Sequence, residues 1–286
     1  MPVPPLDFTG IYRHNRDMEK HTRAQPVVMT IAGSDSSGGA GIQADLKTFS
    51  ALKVFGTSAI TCITAQNPAR VDGIAAIAPD MVTRQIQSIC EAFPVSAAKT
   101  GMLYSADIIH AVAEADISQG IPILVVDPVM VAASGARLLQ ADAIDALCNH
   151  LLPQARVITP NLHEAEILIG HSISSVDELR KAAAEIGGRF DVACIAKGGN
   201  LGGAEVVDVL YDEGEETILK GPRIPARESH GAGCAFSAAL TAHLAKGMLL
   251  TDAAERAKRY VSDTLQYCLH QGDHYPLNFF HEFDSR

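Results

Sequence analysis

Tryptophan is absent from the chain, and aromatic residues supply only 5% of it. Aliphatic side chains must therefore fill the core, and no set of stacking rings is available for single-stranded nucleic acid. An excess of cations is also lacking: the net charge is −10. Such a chain repels a phosphate backbone, which argues against DNA or RNA as a partner. A nucleotide stays open as a ligand, because backbone N–H groups, a cation or two and a metal suffice locally. The six cysteines (Cys62, Cys90, Cys148, Cys194, Cys234 and Cys268) include no CxxC pair. That argues against a zinc site and a dense disulfide framework. Most sit among apolar neighbours as small buried thiols, which fits a reducing cytoplasm. No apolar run approaches the roughly 18 residues of a membrane span. Residues 1–25 mix Pro2, Pro4 and Pro5 with Arg13, Arg16, Asp17, Glu19 and Lys20. They lack the apolar stretch of a signal peptide and read as an N-terminal extension outside the core. Neither a GxxxxGK(S/T) P-loop nor a GxGxxG fingerprint occurs, so Walker-type NTPases and nicotinamide or flavin enzymes lose support.

What the chain does contain is a globular balance, 47% hydrophobic and 20% charged residues. After Pro26, short apolar runs alternate with helix-like stretches. The runs are Val27–Ala32, Ser58–Thr64, Val95–Ala98, Ile121–Val126, Ala155–Thr159 and Val192–Ala196. The candidate helices are Ala40–Leu52, Met81–Ala92, Asp107–Ala115, Ala141–Leu151, Glu164–Ile169 and Val176–Gly187. Near-continuous apolar strands separated by helices predict a parallel sheet covered on both faces. Glu205–Tyr211 and Glu216–Leu219 flank Asp212–Glu215 as a hairpin, and helices over Ala232–Lys246 and Thr251–Leu269 finish the chain. With no repeat and no linker, residues 26–286 read as one α/β domain.

In open α/β sheets, ligands bind beyond the carboxyl ends of the strands. Each apolar run here leads into polar or glycine residues: Gly33–Gly41, Ala65-Gln66-Asn67, Lys99–Met102, Asp127–Met130, Pro160–Glu164 and Lys197–Asn200. Their recurrence predicts a shared cleft. Gly33–Gly41 reads equally well as a ligand loop or a tight strand-to-helix turn. His230-Gly-Ala-Gly-Cys234 precedes a run of strong helix formers. The N–H groups of Ala232, Gly233 and Cys234, at the positive end of that helix, would suit a phosphate. The same field would lower the pKa of the Cys234 thiol. Asn161 and Glu164 lie one helical turn apart, and a carboxylate there could hold Mg²⁺ through water. Spacing alone fits a helix capping box better.

These segments resemble hydroxymethylpyrimidine/phosphomethylpyrimidine kinases of thiamine biosynthesis. The resemblance runs through Thr30–Thr48, Thr64–Asn67, Lys99–Leu103, Asp127–Met130, Ile158–Asn161, Lys197–Gly199 and His230–Cys234, in order from Val27 to about Gly247. It implies a ribokinase-like fold, with a central mainly parallel sheet flanked by helices and a small flap over the substrate. It also implies ATP as co-substrate, Mg²⁺, a small pyrimidine substrate and a homodimer. Gly33, Asp45, Gln66, Met102 and Val129 would line the pyrimidine pocket. Asp127, Asn161, Lys197 and Gly198 would serve the nucleotide and its phosphates, with Glu164 at the metal. Gly231, Ala232, Gly233 and Cys234 would form the catalytic segment, with Cys234 where sugar kinases of the superfamily carry a catalytic Asp. Departures include Ala133-Ser134-Gly135 where many relatives carry a lysine, Asn200 for a His, His163 for a Pro and Ala232 for a Thr. A pyridoxal kinase of the same branch is the nearest rival, and a non-catalytic pyrimidine-binding regulator a remote one.

Overall fold

The computed structural model describes residues 24–115, 120–131, 138–140, 142–225 and 229–283. Most of the N-terminal extension and the Ala133-Ser134-Gly135 departure therefore lie outside the described residues.

The chain begins with β1 (Val27–Asp35) and α1 (Gly41–Ala51), then β2 (Phe55–Asn67) and β3 (Arg70–Ala76). Next come α2 (Pro79–Ala92), β4 (Val95–Thr100), α3 (Ala106–Glu114) and β5 (Leu124–Val126). A short α4 (Ala143–Ala146) precedes β6 (Val157–Ile158), α5 (Leu162–Ile169) and α6 (Val176–Phe190). Then follow β7 (Ala193–Lys197), β8 (Glu205–Asp212), β9 (Glu215–Pro222), α7 (Ala232–Ala245) and α8 (Leu250–Gln266). The nine strands form one sheet in the order β3-β2-β1-β4-β5-β6-β7-β8-β9. From β2 through β7 neighbouring pairs are parallel, while β3, β8 and β9 join antiparallel.

Strand β1 shows why the sheet needs helices on both sides. Successive side chains point to opposite faces, and here both faces are apolar. Val27, Met29 and Ile31 enter one core, shared with α2, α3, α5 and α6. Val28 enters the other, built with Ala44 and Phe49 of α1 and with α7 and α8. Helix α7 is buried on all sides from Ala235 to Leu244, as a helix apolar all round must be.

The predicted hairpin forms, with its turn at Glu213-Gly214. Both residues have positive φ, 50° and 90°, which matches the twist of the flanking strands. Three elements differ from expectation. Strand β3 has no counterpart in the apolar runs, because its residues are largely exposed and carry little pattern. Strand β2 continues through Gln66, which pairs with Val71 on β3, so this residue sits on a two-stranded arm and not in a loop. The helix expected over Ala141–Leu151 is α-helical only to Ala146, widens to a π-turn over Leu147–Leu151 and ends in a 3₁₀ turn over Leu152–Gln154. Pro153 lacks an N–H and crowds the preceding turn, so a regular helix cannot run through it.

Candidate active site

Beyond the carboxyl ends of the parallel strands lies a cavity of about 720 Å³. The loop after β1 forms one wall. Asp35 organises it by accepting hydrogen bonds from the Ser37 N–H (2.9 Å), the Ser37 hydroxyl (2.8 Å) and the Ala40 N–H (2.8 Å). His230 Nε2, from the loop before α7, lies 2.9 Å from the same carboxylate. Burial pulls the Asp35 pKa upward, but these hydrogen bonds outweigh it and hold the group down at about 2. Gly41 has φ +58°, and a Cβ on it would sit 2.5 Å from the Gly33 carbonyl oxygen. The glycines of this loop thus serve the turn and also lie beside the cavity.

Gly231 joins this loop to α7. Its φ is +87°, and a Cβ there would meet the Gly39 carbonyl oxygen at 1.8 Å. The Ala232 N–H donates to the Ser229 carbonyl at 3.0 Å, and the Ala235 N–H to the Gly231 carbonyl at 2.8 Å. This corrects the expectation that three N–H groups are open: Ala232 is already engaged. Gly233 and Cys234 carry the N–H groups that helix geometry leaves for a ligand. A Cβ on Gly233 would lie 3.5 Å from Lys197 Nζ and 4.0 Å from Asp127 Oδ2, so the helix start, the lysine and the carboxylate converge.

Asp127 is the hub of that end. Its carboxylate accepts from Lys197 Nζ at 3.2 Å, the Thr159 hydroxyl at 3.1 Å and the Ser237 hydroxyl at 3.1 Å. Burial opposes charge on Lys197, yet Asp127 and Glu164 overcome it and raise its pKa. Asn161 caps α5: its side chain accepts from the Glu164 N–H at 2.9 Å, and Glu164 accepts from the Asn161 N–H at 2.8 Å. The capping box inferred from spacing is therefore real, and Glu164 lines the cavity as well. Burial raises the Glu164 pKa to about 7; Asp127 adds to the effect while Lys197 opposes it.

The other end is apolar. Met102 packs with Cys62 and Leu138, and Val129 and Val71 border them. A Cβ on Gly33 would meet Cys62 Sγ at 2.7 Å and Met102 Sδ at 3.4 Å, so the packing of these two side chains against β1 requires glycine there. Gln66 reaches this end from β2, with its side chain 3.2 Å from the Thr64 hydroxyl.

All the predicted site residues line the cavity except Asp45 and Gly198. Asp45 lies behind the wall. It is fully buried and pairs with the equally buried Lys99 at 2.9 and 3.0 Å. The Thr30 hydroxyl donates to it at 2.6 Å. Burial disfavours charge on Lys99, but the Asp45 carboxylate more than compensates and raises its pKa. Gly198 gives its N–H to Asp208 at 2.9 Å. Sequence reasoning gave no role to Lys99, Asp35, Thr159, Ser237 or Asp208. Lys99, at the end of an apolar strand, was the one visible anomaly, since a buried lysine requires a partner.

The Cys234 thiol departs from expectation. Burial pushes its pKa up to about 12, and the nearby Lys99 ammonium recovers only part of the shift. The positive end of α7 does not prevail over desolvation. The thiol is protonated at neutral pH, so any role as a base must use a minor thiolate fraction. On that basis, for the kinase reaction that the resemblance implies, kcat/KM should climb with pH between 7 and 9, approaching tenfold per unit. Cys234→Ala should lower kcat by at least about tenfold and flatten the climb, with ATP binding retained. A flat wild-type profile would remove Cys234 as the base.

Comparisons with known proteins place the chain in a family. A family model described as phosphomethylpyrimidine kinase matches residues 35–278. The hydroxymethylpyrimidine/phosphomethylpyrimidine kinase of Bacillus subtilis is 42% identical over 254 residues, covering 88% of this chain and 94% of its own. The pyridoxine kinase of the same organism is 41% identical, covering 87% and 92%. The chain spans 51% of the Geobacter sulfurreducens thiamine biosynthesis bifunctional protein ThiED, at 41% identity over 88% of this chain. Among solved structures, Staphylococcus aureus pyridoxal kinase in complex with AMP-PCP and pyridoxal superposes with TM-score 0.83 and 34% identity, covering 91% and 95%. Fold and sequence agree: the chain belongs to the phosphomethylpyrimidine kinase family, with a ribokinase-like fold.

Proposed function

We propose that the chain uses ATP to phosphorylate 4-amino-5-hydroxymethyl-2-methylpyrimidine, and then phosphorylates the monophosphate to the diphosphate. One observation carries the reading. A single cavity joins an apolar slot bearing Gln66 to an anion site built from Lys197, Asp127 and the start of α7. The slot suits a flat heteroaromatic ring, and the Gln66 amide offers a donor and an acceptor to an aminopyrimidine. The anion site suits a phosphoryl group in transfer, where positioning and charge stabilisation do most of the work. In this reading the chain works in the cytoplasm, and a homodimer is expected.

Mg²⁺ fits the residues present. Among the described residues no group of three or more His, Cys, Asp or Glu forms a dedicated cage. Mg²⁺ does not need one, because one or two carboxylates complete a shell of waters and phosphate oxygens. Glu164 and Asp127 would be those carboxylates: both line the cavity, and burial, followed by the neighbouring Asp127, raises the Glu164 pKa against the pull of Lys197. When bound, the ion neutralises charge on the nucleotide phosphates. Lys197 and the Gly233 and Cys234 N–H groups then hold the transferring group, and the slot orients the hydroxymethyl oxygen toward it.

The metal-free protein offers a pH test. Glu164 has a folded pKa near 7, above its unfolded value. The folded state then binds the extra proton, so stability is full below the ordinary carboxylate range and falls as pH rises through about 7. Glu164→Gln should remove that loss, roughly 3 kcal/mol, in chemical denaturation measured with chelator at pH 5 and pH 8. Equal slopes in both proteins would contradict it.

The rival substrate is pyridoxine or pyridoxal, favoured by the S. aureus kinase complex above. A panel of both rings with ATP, read by mass spectrometry of the products, separates them. The proposal expects hydroxymethylpyrimidine turned over at the higher kcat/KM and carried on to the diphosphate. Monophosphate alone, at long times with excess ATP, would remove the second step.

A further inference from the structure

The segment after β7 borders the cavity through Lys197, Gly199 and Asn200, and two sets of contacts clamp it. On the inner side, Asp208 of β8 accepts from the Gly198 N–H at 2.9 Å through one oxygen and from Lys258 Nζ of α8 at 2.7 Å through the other. Both charged side chains are buried. The fit is close: a Cβ on Gly198 would strike the Val207 carbonyl oxygen at 2.1 Å, and one on Gly221 would lie 3.1 Å from Lys258 Cε. Glycine at 221 is what gives the lysine passage across β9 to Asp208. On the outer side, Arg223 at the end of β9 donates Nε to the Gly203 carbonyl at 2.8 Å and Nη1 to the Gly199 carbonyl at 2.9 Å. Its Nη2 donates to the Leu201 carbonyl.

A loop that needed only to connect β7 with β8 has no use for three carbonyls tied to one guanidinium and an N–H tied to a buried carboxylate. The same segment carries Lys197, whose ammonium reaches Asp127. We propose that Asp208 and Arg223 are positioning residues for the nucleotide: they hold the Lys197–Gly203 segment in the shape that receives ATP, and the Lys258 ammonium, 2.7 Å away, keeps the Asp208 carboxylate aimed at the Gly198 N–H. This rests on the kinase reading. Both line the cavity, but their hydrogen bonds go to Gly198, Lys258, Gly199, Leu201 and Gly203 and not to Gln66, Met102 or Val129, so their effect should fall on ATP.

Calorimetric titration of ATP with Mg²⁺, without pyrimidine, tests it directly. Asp208→Ala removes the acceptor for Gly198 and should weaken ATP binding at least about fivefold, the scale set by a buried N–H left unpaired. Asp208→Asn keeps that acceptor and should recover most of the affinity. Arg223→Gln, on an exposed side chain, should raise KM for ATP several-fold with KM for the pyrimidine unchanged. If Asp208→Ala does not fold, Asp208→Asn and Arg223→Gln decide the matter. Unchanged ATP affinity in folded Asp208→Ala, or in Arg223→Gln, overturns the proposal, as does an equal rise in both KM values. Wild-type protein that binds ATP but ignores the pyrimidine would defeat the substrate reading and leave this test intact.

Discussion

Asp45→Ala should lower stability by about 3–5 kcal/mol, a fall in Tm on the order of 10 °C for a chain of this size. The cause is the lysine left behind. Lys99 and Asp45 are both inaccessible to solvent and satisfy each other at 2.9 and 3.0 Å. Removing the carboxylate strands an ammonium among apolar strands, where its lost hydration is not replaced. The pair as a whole is a weak stabiliser, because desolvating both ions offsets most of their attraction. The double variant Asp45→Leu/Lys99→Met should therefore regain most of the lost stability. It should not regain activity, since Lys99 lies near Cys234 and acts on its thiol electrostatically. Thermal unfolding and kcat/KM measured on the three proteins check this. A single variant as stable as wild type would mean that the pair is not buried as described.

Gly231→Ala should reduce kcat/KM by at least about 100-fold while the sheet still forms. Alanine at φ +87° costs roughly 1–2 kcal/mol in backbone strain. The steric conflict is larger, because the new methyl carbon would overlap the Gly39 carbonyl oxygen. Either the β1–α1 loop or the start of α7 has to retreat. Both carry cavity walls, and a displacement near 1 Å at a phosphate site is enough for a loss of this size. Steady-state kinetics alongside circular dichroism would show it. Near-normal turnover would mean that the helix start is not where phosphoryl transfer is supported.

The parallel sheet was legible because β1, β4 and β7 are buried on both faces and write themselves as unbroken aliphatic runs. The cavity edge was legible for a related reason: polar residues at the ends of such runs share one side of the sheet. Strand β3 was not legible, since an exposed edge strand such as Arg70–Ala76 needs no apolar pattern. Asp45 shows a different limit. The family resemblance implied a pocket residue, but its partner, Lys99, lies 54 positions away. Only the pairing of β1 with β4 brings them together. Cys234 shows a third. The helix dipole is visible in sequence, whereas the desolvation that outweighs it depends on everything packed around the thiol.

The strand order carries a consequence for how the molecule is made. From β5 to β9 each new strand is laid beside the one synthesised just before it. The sheet can therefore grow vectorially on the ribosome, at a single advancing edge, without waiting for distant segments. Helix α7 is different. It packs back against α1, β1 and β4, elements completed long before it emerges. A nascent chain that has finished β9 holds Met102, Val129 and Asp127 but neither α7 nor α8, which also line the cavity. The cavity is completed last, when these two helices close over a sheet already in place.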